Sequence, residues 1–272
     1  IEIDVNGNEK IENTLKRGKV EGVKINKEND KLEGATIGIF KVDTTEFTEK
    51  TAIVTTKTDK DGAFSFNNIP YGEWVVKEIA APTGYAVDAT QHHIYISDDG
   101  VVINVTMVDK QVQISKTDIT GQKEVVGAEL TITDESGNVI DSWTSTDTAH
   151  YANGLVEGHK YTLTEKTAPY GYEIANSIVF VVTSDKAIQT VVMNDSPILS
   201  SVLVNKVDSV TGENIISRKF EFTLYSDPEC KNEIITVNAN TDDGTALFSD
   251  LRYGTYYIKE TKAPKGYMLS DE

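Results

Sequence analysis

A lysine recurs at one point of a repeated pattern: Lys27 in VKINKEND, Lys116 in VQISKTDITG and Lys206 in VLVNKVDSVTG, at steps of 89 and 90 residues. A second motif keeps phase with it, as KEIAAPTGY at 77–85, TEKTAPYGY at 164–172 and IKETKAPKGY at 258–267. A fixed period of this size means that one small unit is used several times, so the chain should fold as an array and not around one large core.

Each unit consists of short runs in which apolar and polar residues alternate, such as ATIGIF (35–40), AFSFNNI (63–69), EWVVKEI (73–79) and VINVTMVD (102–109). Turn signals separate the runs: DKDG at 59–62, SDDG at 97–100, ESGN at 135–138 and TDDG at 241–244. A period of two marks half-buried strands, and no stretch carries helical periodicity. The expected fold class is all-β, with tandem Ig-like β-sandwich domains in a linear array. The expected domains are 21–110, 111–197 and 198–272, the last without its final strand. Residues 1–20 read as the final strand of an upstream or complementing domain, Ile11 and Asn13 alternating as Met107 and Asp109 do. A leader outside the fold is the other reading of that segment. The opening IEIDVNGNEK has no signal-peptide pattern, as expected of an internal fragment or a processed chain.

Charge and composition exclude several function classes. The 272 residues carry a net charge of −17, and phosphate recognition needs clustered Lys and Arg, so no nucleic acid is expected as a partner. No apolar stretch is long enough to span a membrane as a helix. The single cysteine, Cys230, cannot close an internal disulfide. His92 and His93 are adjacent and point to opposite faces of a strand. DKDG and TDDG do not continue into a full calcium loop, so no metal and no cofactor are expected. His150 and His159 fall in loop-like stretches without a carboxylate at ligand spacing.

Charge in the wrong place is the functional clue. Side chains alternate between the faces of a strand. By that rule Val23, Ile25 and Lys27 share a face, as do Val112, Ile114 and Lys116, and Val202, Val204 and Lys206. On the motif strand Glu78 falls with Trp74 and Val76, Glu165 with Tyr161 and Leu163, and Glu260 with Tyr256 and Ile258. On the last strand Asp109 falls with Val105 and Met107, and Asp195 with Val191 and Met193. Each complete domain should therefore bury one Lys, one Glu and one Asp. Burial favours neutral forms, a free amine and a protonated carboxyl. Held together with a second acid to move protons, such a pair can condense to an amide. The residues alone leave two readings: a buried salt-bridge network, or isopeptide bonds from Lys27 to Asp109 assisted by Glu78 and from Lys116 to Asp195 assisted by Glu165. Lys24 competes with Lys27, and Asn194 with Asp195. Alternation argues against both competitors.

The Lys-bearing strand followed by GAT or GAE, then YGEWVVKEIAAPTGY or EGHKYTLTEKTAPYGY, then VTMVD, resembles the collagen-adhesin B-type domain. That family is also called the SpaA-type or prealbumin-like domain, and it occurs in Gram-positive surface adhesins and pilins. The resemblance covers nearly the whole chain. It implies transthyretin-like sandwiches carrying a Lys–Asn/Asp isopeptide with an assisting Glu, which favours the crosslinked reading. In the third domain Lys206 and Glu260 are present, no acceptor follows, and Phe220 stands where the other units have Ala35 and Ala128. That domain is either truncated or completed by another copy, with Asn13 as an intermolecular acceptor.

The expected role is an extracellular stalk or shaft, cell-wall-anchored or pilus-borne. Its partners would be neighbouring domains of the same protein, and through strand complementation a second copy. The self-crosslinking is single-turnover, so no enzyme is expected. The second reading is a ligand-binding adhesin that recognises a host matrix protein or glycan through loops such as 43–51 or 141–153.

Overall fold

The computed structural model describes residues 12–270 and contains no helix among them. The first domain comprises β1 (Arg17–Asn26), β2 (Thr36–Lys41), β3 (Val54–Lys57), β4 (Ala63–Pro70), β5 (Gly72–Ala80), β6 (His92–Ile96) and β7 (Val102–Asp109). The second comprises β8 (Val112–Asp118), β9 (Glu129–Thr133), β10 (Val139–Thr144), β11 (His150–Tyr151), β12 (Lys160–Thr167), β13 (Ile178–Val181) and β14 (Gln189–Asp195). The third comprises β15 (Leu199–Asn205), β16 (Glu221–Tyr225), β17 (Glu233–Asn238), β18 (Thr245–Arg252) and β19 (Tyr257–Lys262).

The repeat is a repeat of topology. Sheets ordered β4-β1-β7 and β3-β2-β5-β6 form the first domain, and β11-β8-β14 and β10-β9-β12-β13 the second. In the third, β15-β18 and β17-β16-β19 are the counterparts among the described residues. The first and last strands of the first domain are parallel neighbours, Lys24 opposite Met107 and Asn26 opposite Asp109. The compact units divide differently from the repeats. One takes the chain up to Thr167 with Ala175–Asn194, the other Ala168–Ile174 with Asp195 onward.

Each domain has its own apolar cluster. Val20, Ile37, Ile39, Phe64, Phe66 and Met107 belong to the first, and Phe220, Phe222, Leu224 and Phe248 to the third. The expected turns are closed by aspartates. Asp59 Oδ1 accepts the amides of Asp61 and Ala63, each at 2.9 Å, and Asp134 Oδ1 those of Ser136 and Asn138 at 2.9 and 2.8 Å. These are Asx turns, in which the side chain stands in for a backbone acceptor.

The N-terminal boundary differs from expectation. β1 begins at Arg17, so residues 17–20 belong to the first domain. Ile11 lies outside the described residues, and Asn13 is exposed and not in a strand. β1 runs on from there because Gly18 and Val20 continue its inward face, on which Val20 packs fully buried into the first core.

Candidate functional site

The Pro-x-Gly-Tyr segment builds the same device three times. Tyr85 N donates to Pro82 O at 3.1 Å, Tyr172 N to Pro169 O at 3.1 Å and Tyr267 N to Pro264 O at 3.0 Å. The third turn residue has φ of 83° at Gly84, 84° at Gly171 and 95° at Gly266. This is a type II turn, whose third position needs positive φ and so takes glycine. The turn folds the chain back over the preceding strand, where a glutamate side chain waits. Asp88 N donates to Glu78 Oε2 at 2.7 Å, Ala175 N to Glu165 Oε2 at 2.6 Å and Ser270 N to Glu260 Oε2 at 2.8 Å. Each donor lies ten residues beyond its glutamate. A charge-assisted bond of this kind fixes the carboxylate against the core.

A lysine meets each fixed glutamate. Lys24 Nζ lies 2.9 Å from Glu78 Oε2, Lys116 Nζ 3.0 Å from Glu165 Oε1, and Lys206 Nζ 3.0 Å from Glu260 Oε1. The first lysine is therefore Lys24, and the expectation for Lys27 is corrected. Lys27 is exposed in the turn after β1. The inward face of β1 is Gly18, Val20, Lys24 and Asn26, with Gly22 between them. Alternation misled at Gly22. A Cβ there would fall 2.1 Å from the Phe64 ring, so that inward position holds no side chain and a ring from β4 fills the space. Val23 and Ile25 then resemble an inward pair although they lie on the other, half-covered face. The correct phase has a sequence signal: Lys24 precedes Ala35 by eleven residues, Lys116 precedes Ala128 by twelve, and Lys27 precedes Ala35 by only eight.

The third member differs among the domains. In the first, Lys24 Nζ is also in ion-pair contact with Asp109 Oδ1, and the Lys24, Glu78 and Asp109 side chains are completely enclosed. Burial pushes the Asp109 carboxyl up to about 8; neighbouring Lys24 works against the rise and Glu78 adds to it. In the second, Lys116 and Glu165 are enclosed as well, and Asp195, the last residue of β14, is fully buried. Asn194 faces outward, where its Oδ1 accepts from Thr117 Oγ1 at 2.7 Å. In the third, Lys206 is 17% exposed and no acceptor carboxyl or amide joins it among the described residues.

Sequence reasoning did not find the three backbone amides on the glutamates, because a donor amide has no residue signature. It also set aside His150, whose Nε2 lies 2.8 Å from Asp141 Oδ2 and whose ring stacks on Trp143 at 4.1 Å between centroids. Burial alone would raise the Asp141 carboxyl, but the His150 contact and the Asn153 amide outweigh it and hold Asp141 below its ordinary value. The pair joins β10 to β11 within the second domain. Among the described residues no three His, Cys, Asp or Glu side chains converge as a metal site.

Comparison with known proteins bears on the fold. The family model of the SpaA prealbumin-like fold domain matches residues 18–111, 110–197 and 200–272. Among solved structures, the Bacillus anthracis TIE protein is 26% identical with a TM-score of 0.50, over 94% of this chain and 47% of that one. This chain thus spans about half the length of that relative. A streptococcal ancillary pilin is 23% identical with a TM-score of 0.35, over 66% of this chain and 62% of the other. The Bacillus cereus major pilin subunit BcpA is 18% identical with a TM-score of 0.33, over 94% of each. No curated protein matches the chain.

Proposed function

Because this chain belongs to the SpaA family of prealbumin-like fold domains, we propose that it is the stalk of a Gram-positive surface adhesin or pilus-like fibre, whose domains lock themselves with Lys–Asp isopeptide bonds. The observation that carries this reading is the sealed cluster of Lys24, Glu78 and Asp109. A buried charge network is costly and contributes little as a salt bridge alone. Condensation removes the charges and their cost together.

The chemistry follows from the contacts. With its carboxyl pushed up to about 8, Asp109 is largely protonated at neutral pH. Glu78 takes a proton from the Lys24 ammonium, and the free amine attacks Asp109 Cγ to form the Nζ–Cγ bond. A second nitrogen proton passes through Glu78 to the departing hydroxyl, the Cγ–Oδ bond breaks, and one water leaves. The amide remains, and the proton first taken from the ammonium stays on Glu78. The Asp88 amide, 2.7 Å from Glu78 Oε2, keeps that carboxylate aimed throughout. Lys116, Glu165 and Asp195 supply the same three groups to a bond in the second domain.

A bond between Lys24 on β1 and Asp109 on β7 joins the first and last strands of the domain. Tension then passes through an amide and does not peel the sheet. Closing a loop of this length also restricts the unfolded chain, an effect of about 4 to 5 kcal/mol. For a chain whose one cysteine is unpaired, such bonds replace the disulfides that commonly stabilise small exported domains. The chemistry occurs once and on the chain itself, so the protein acts as a structural element outside the cell.

The intact mass tests the reading. The chain should weigh two waters less than its sequence, Lys24→Ala should lack only one, and Lys27→Ala should still lack two. Full sequence mass in the unaltered chain would refute the bonds. For the third domain, where Lys206 and Glu260 await an acceptor, complementation along β15 by a second copy offering Asn13 would give a dimer that survives a denaturing gel. Only monomer at high concentration would exclude it.

A further inference from the structure

A strap closes the first-domain cluster, and the second domain holds that strap. Beyond the Pro82–Tyr85 turn the chain keeps one bridge to the end of its own domain, Ala86 N donating to Lys110 O at 2.9 Å, and otherwise turns to the second domain. Gly84 N donates to Asn153 Oδ1 at 2.8 Å, Val87 N to Leu155 O at 2.8 Å, and Glu157 N to Val87 O at 3.1 Å. Between them Ala86 is buried in the second domain's apolar cluster, with Val112, Ala152, Leu155 and Val182. Asp88 ends the strap and faces two ways. Its amide donates to Glu78 Oε2 at 2.7 Å. Its carboxylate meets Lys186 Nζ at 3.2 Å, and the same ammonium meets Glu157 Oε1 at 2.7 Å. Asp88 and Glu157 are both buried, so Lys186 is the cation that lets these two carboxylates share one enclosed junction.

We propose that Lys186 of the second domain is a positioning residue for the Lys24–Asp109 crosslink of the first, so that the first bond forms at full rate only after the second domain has folded onto the strap. This rests on the crosslinking read from the cluster above. The physical link is short. Without Lys186 two enclosed carboxylates repel each other, Asp88 moves outward, and its amide leaves Glu78. A glutamate without that bond is free to turn from Lys24, and a proton carrier out of position costs rate. The apolar half of the strap adds an order to maturation, because Ala86 has no core to enter until the second domain's cluster exists.

The test follows both bonds in the full chain. Protein made in a short pulse of synthesis is quenched in denaturant at intervals, and peptide mapping by mass spectrometry counts the Lys24–Asp109 and Lys116–Asp195 crosslinks. Lys186→Met should slow the first bond roughly tenfold or more while the second keeps its rate, and Lys186→Arg should restore the first. Equal first-bond rates in the unaltered chain and Lys186→Met would overturn the proposal. Should Lys186→Met fail to fold, Lys186→Met combined with Asp88→Ala decides the matter: it removes one of the two repelling carboxylates and keeps the amide on Glu78, so the first bond should form at its unaltered rate, and a first bond roughly tenfold slower there would be equally fatal. Absence of the Lys24–Asp109 bond from the unaltered chain would overturn the crosslink reading itself, a result distinct from either.

Discussion

Lys24 reaches Asp109 along the sheet and not straight across it. In the parallel β1–β7 ladder Lys24 stands opposite Met107, and Asp109 stands opposite Asn26, yet Lys24 Nζ makes its ion pair with Asp109 Oδ1. The reach is a diagonal of two residues, a distance that long side chains on one sheet face can bridge. The four-carbon stem of lysine spans it and keeps its head beside Glu78. Shorter or forked side chains would fail, the first in length and the second in nucleophilicity.

The raised carboxyl gives a signature in pH. Glu78→Gln should stop the bond from forming while burial, the largest cause, still raises Asp109. The folded chain then holds a proton that an unfolded aspartate, with its ordinary value of 3.8, has released. The contribution of this site to the variant's stability should be greatest below 3.8 and fall as pH rises above it. The crosslinked protein has an amide in place of the acid and should show no such decline from this site. Denaturant midpoints measured across that window compare the two, and parallel curves would contradict the assignment.

Gly22 should be intolerant of any side chain. A Cβ would enter the Phe64 ring at 2.1 Å. Gly22→Val should cost about 1 to 3 kcal/mol, the usual range for overpacking. Phe64→Ala alone leaves a cavity and should cost about 3 to 5 kcal/mol. The double variant should be clearly less destabilised than the sum of the two. Additive losses in chemical unfolding would mean that the ring and the glycine do not share one space.

The third domain should be the first to open in this chain. Its β15 is paired only with β18 among the described residues, and Val202 and Leu203 are 38% and 55% exposed. Their second-domain counterparts lie on a strand flanked on both sides. Regions with few buried contacts and open backbone edges open at the lowest free energy. Limited proteolysis should therefore cut within 198–270 before it cuts within 17–195. A first cut in the earlier domains would reverse the expected order.

The sequence alone determined the ninety-residue repeat, the all-β class, and the inward phase of Glu78, Glu165, Glu260, Asp109 and Asp195. Each of these sits on a strand whose inward neighbours are apolar, so a period of two identifies the face without ambiguity. The lysine of the first domain was decided by tertiary structure. Where the inward neighbour is Gly22, the volume that marks the face comes from Phe64, some forty residues later in the chain, and local alternation carries no trace of it. The amides of Asp88, Ala175 and Ser270 and the hold of Lys186 on the strap were likewise beyond the sequence. Every residue has an amide, and only the folded path of the backbone selects the one that meets a buried glutamate.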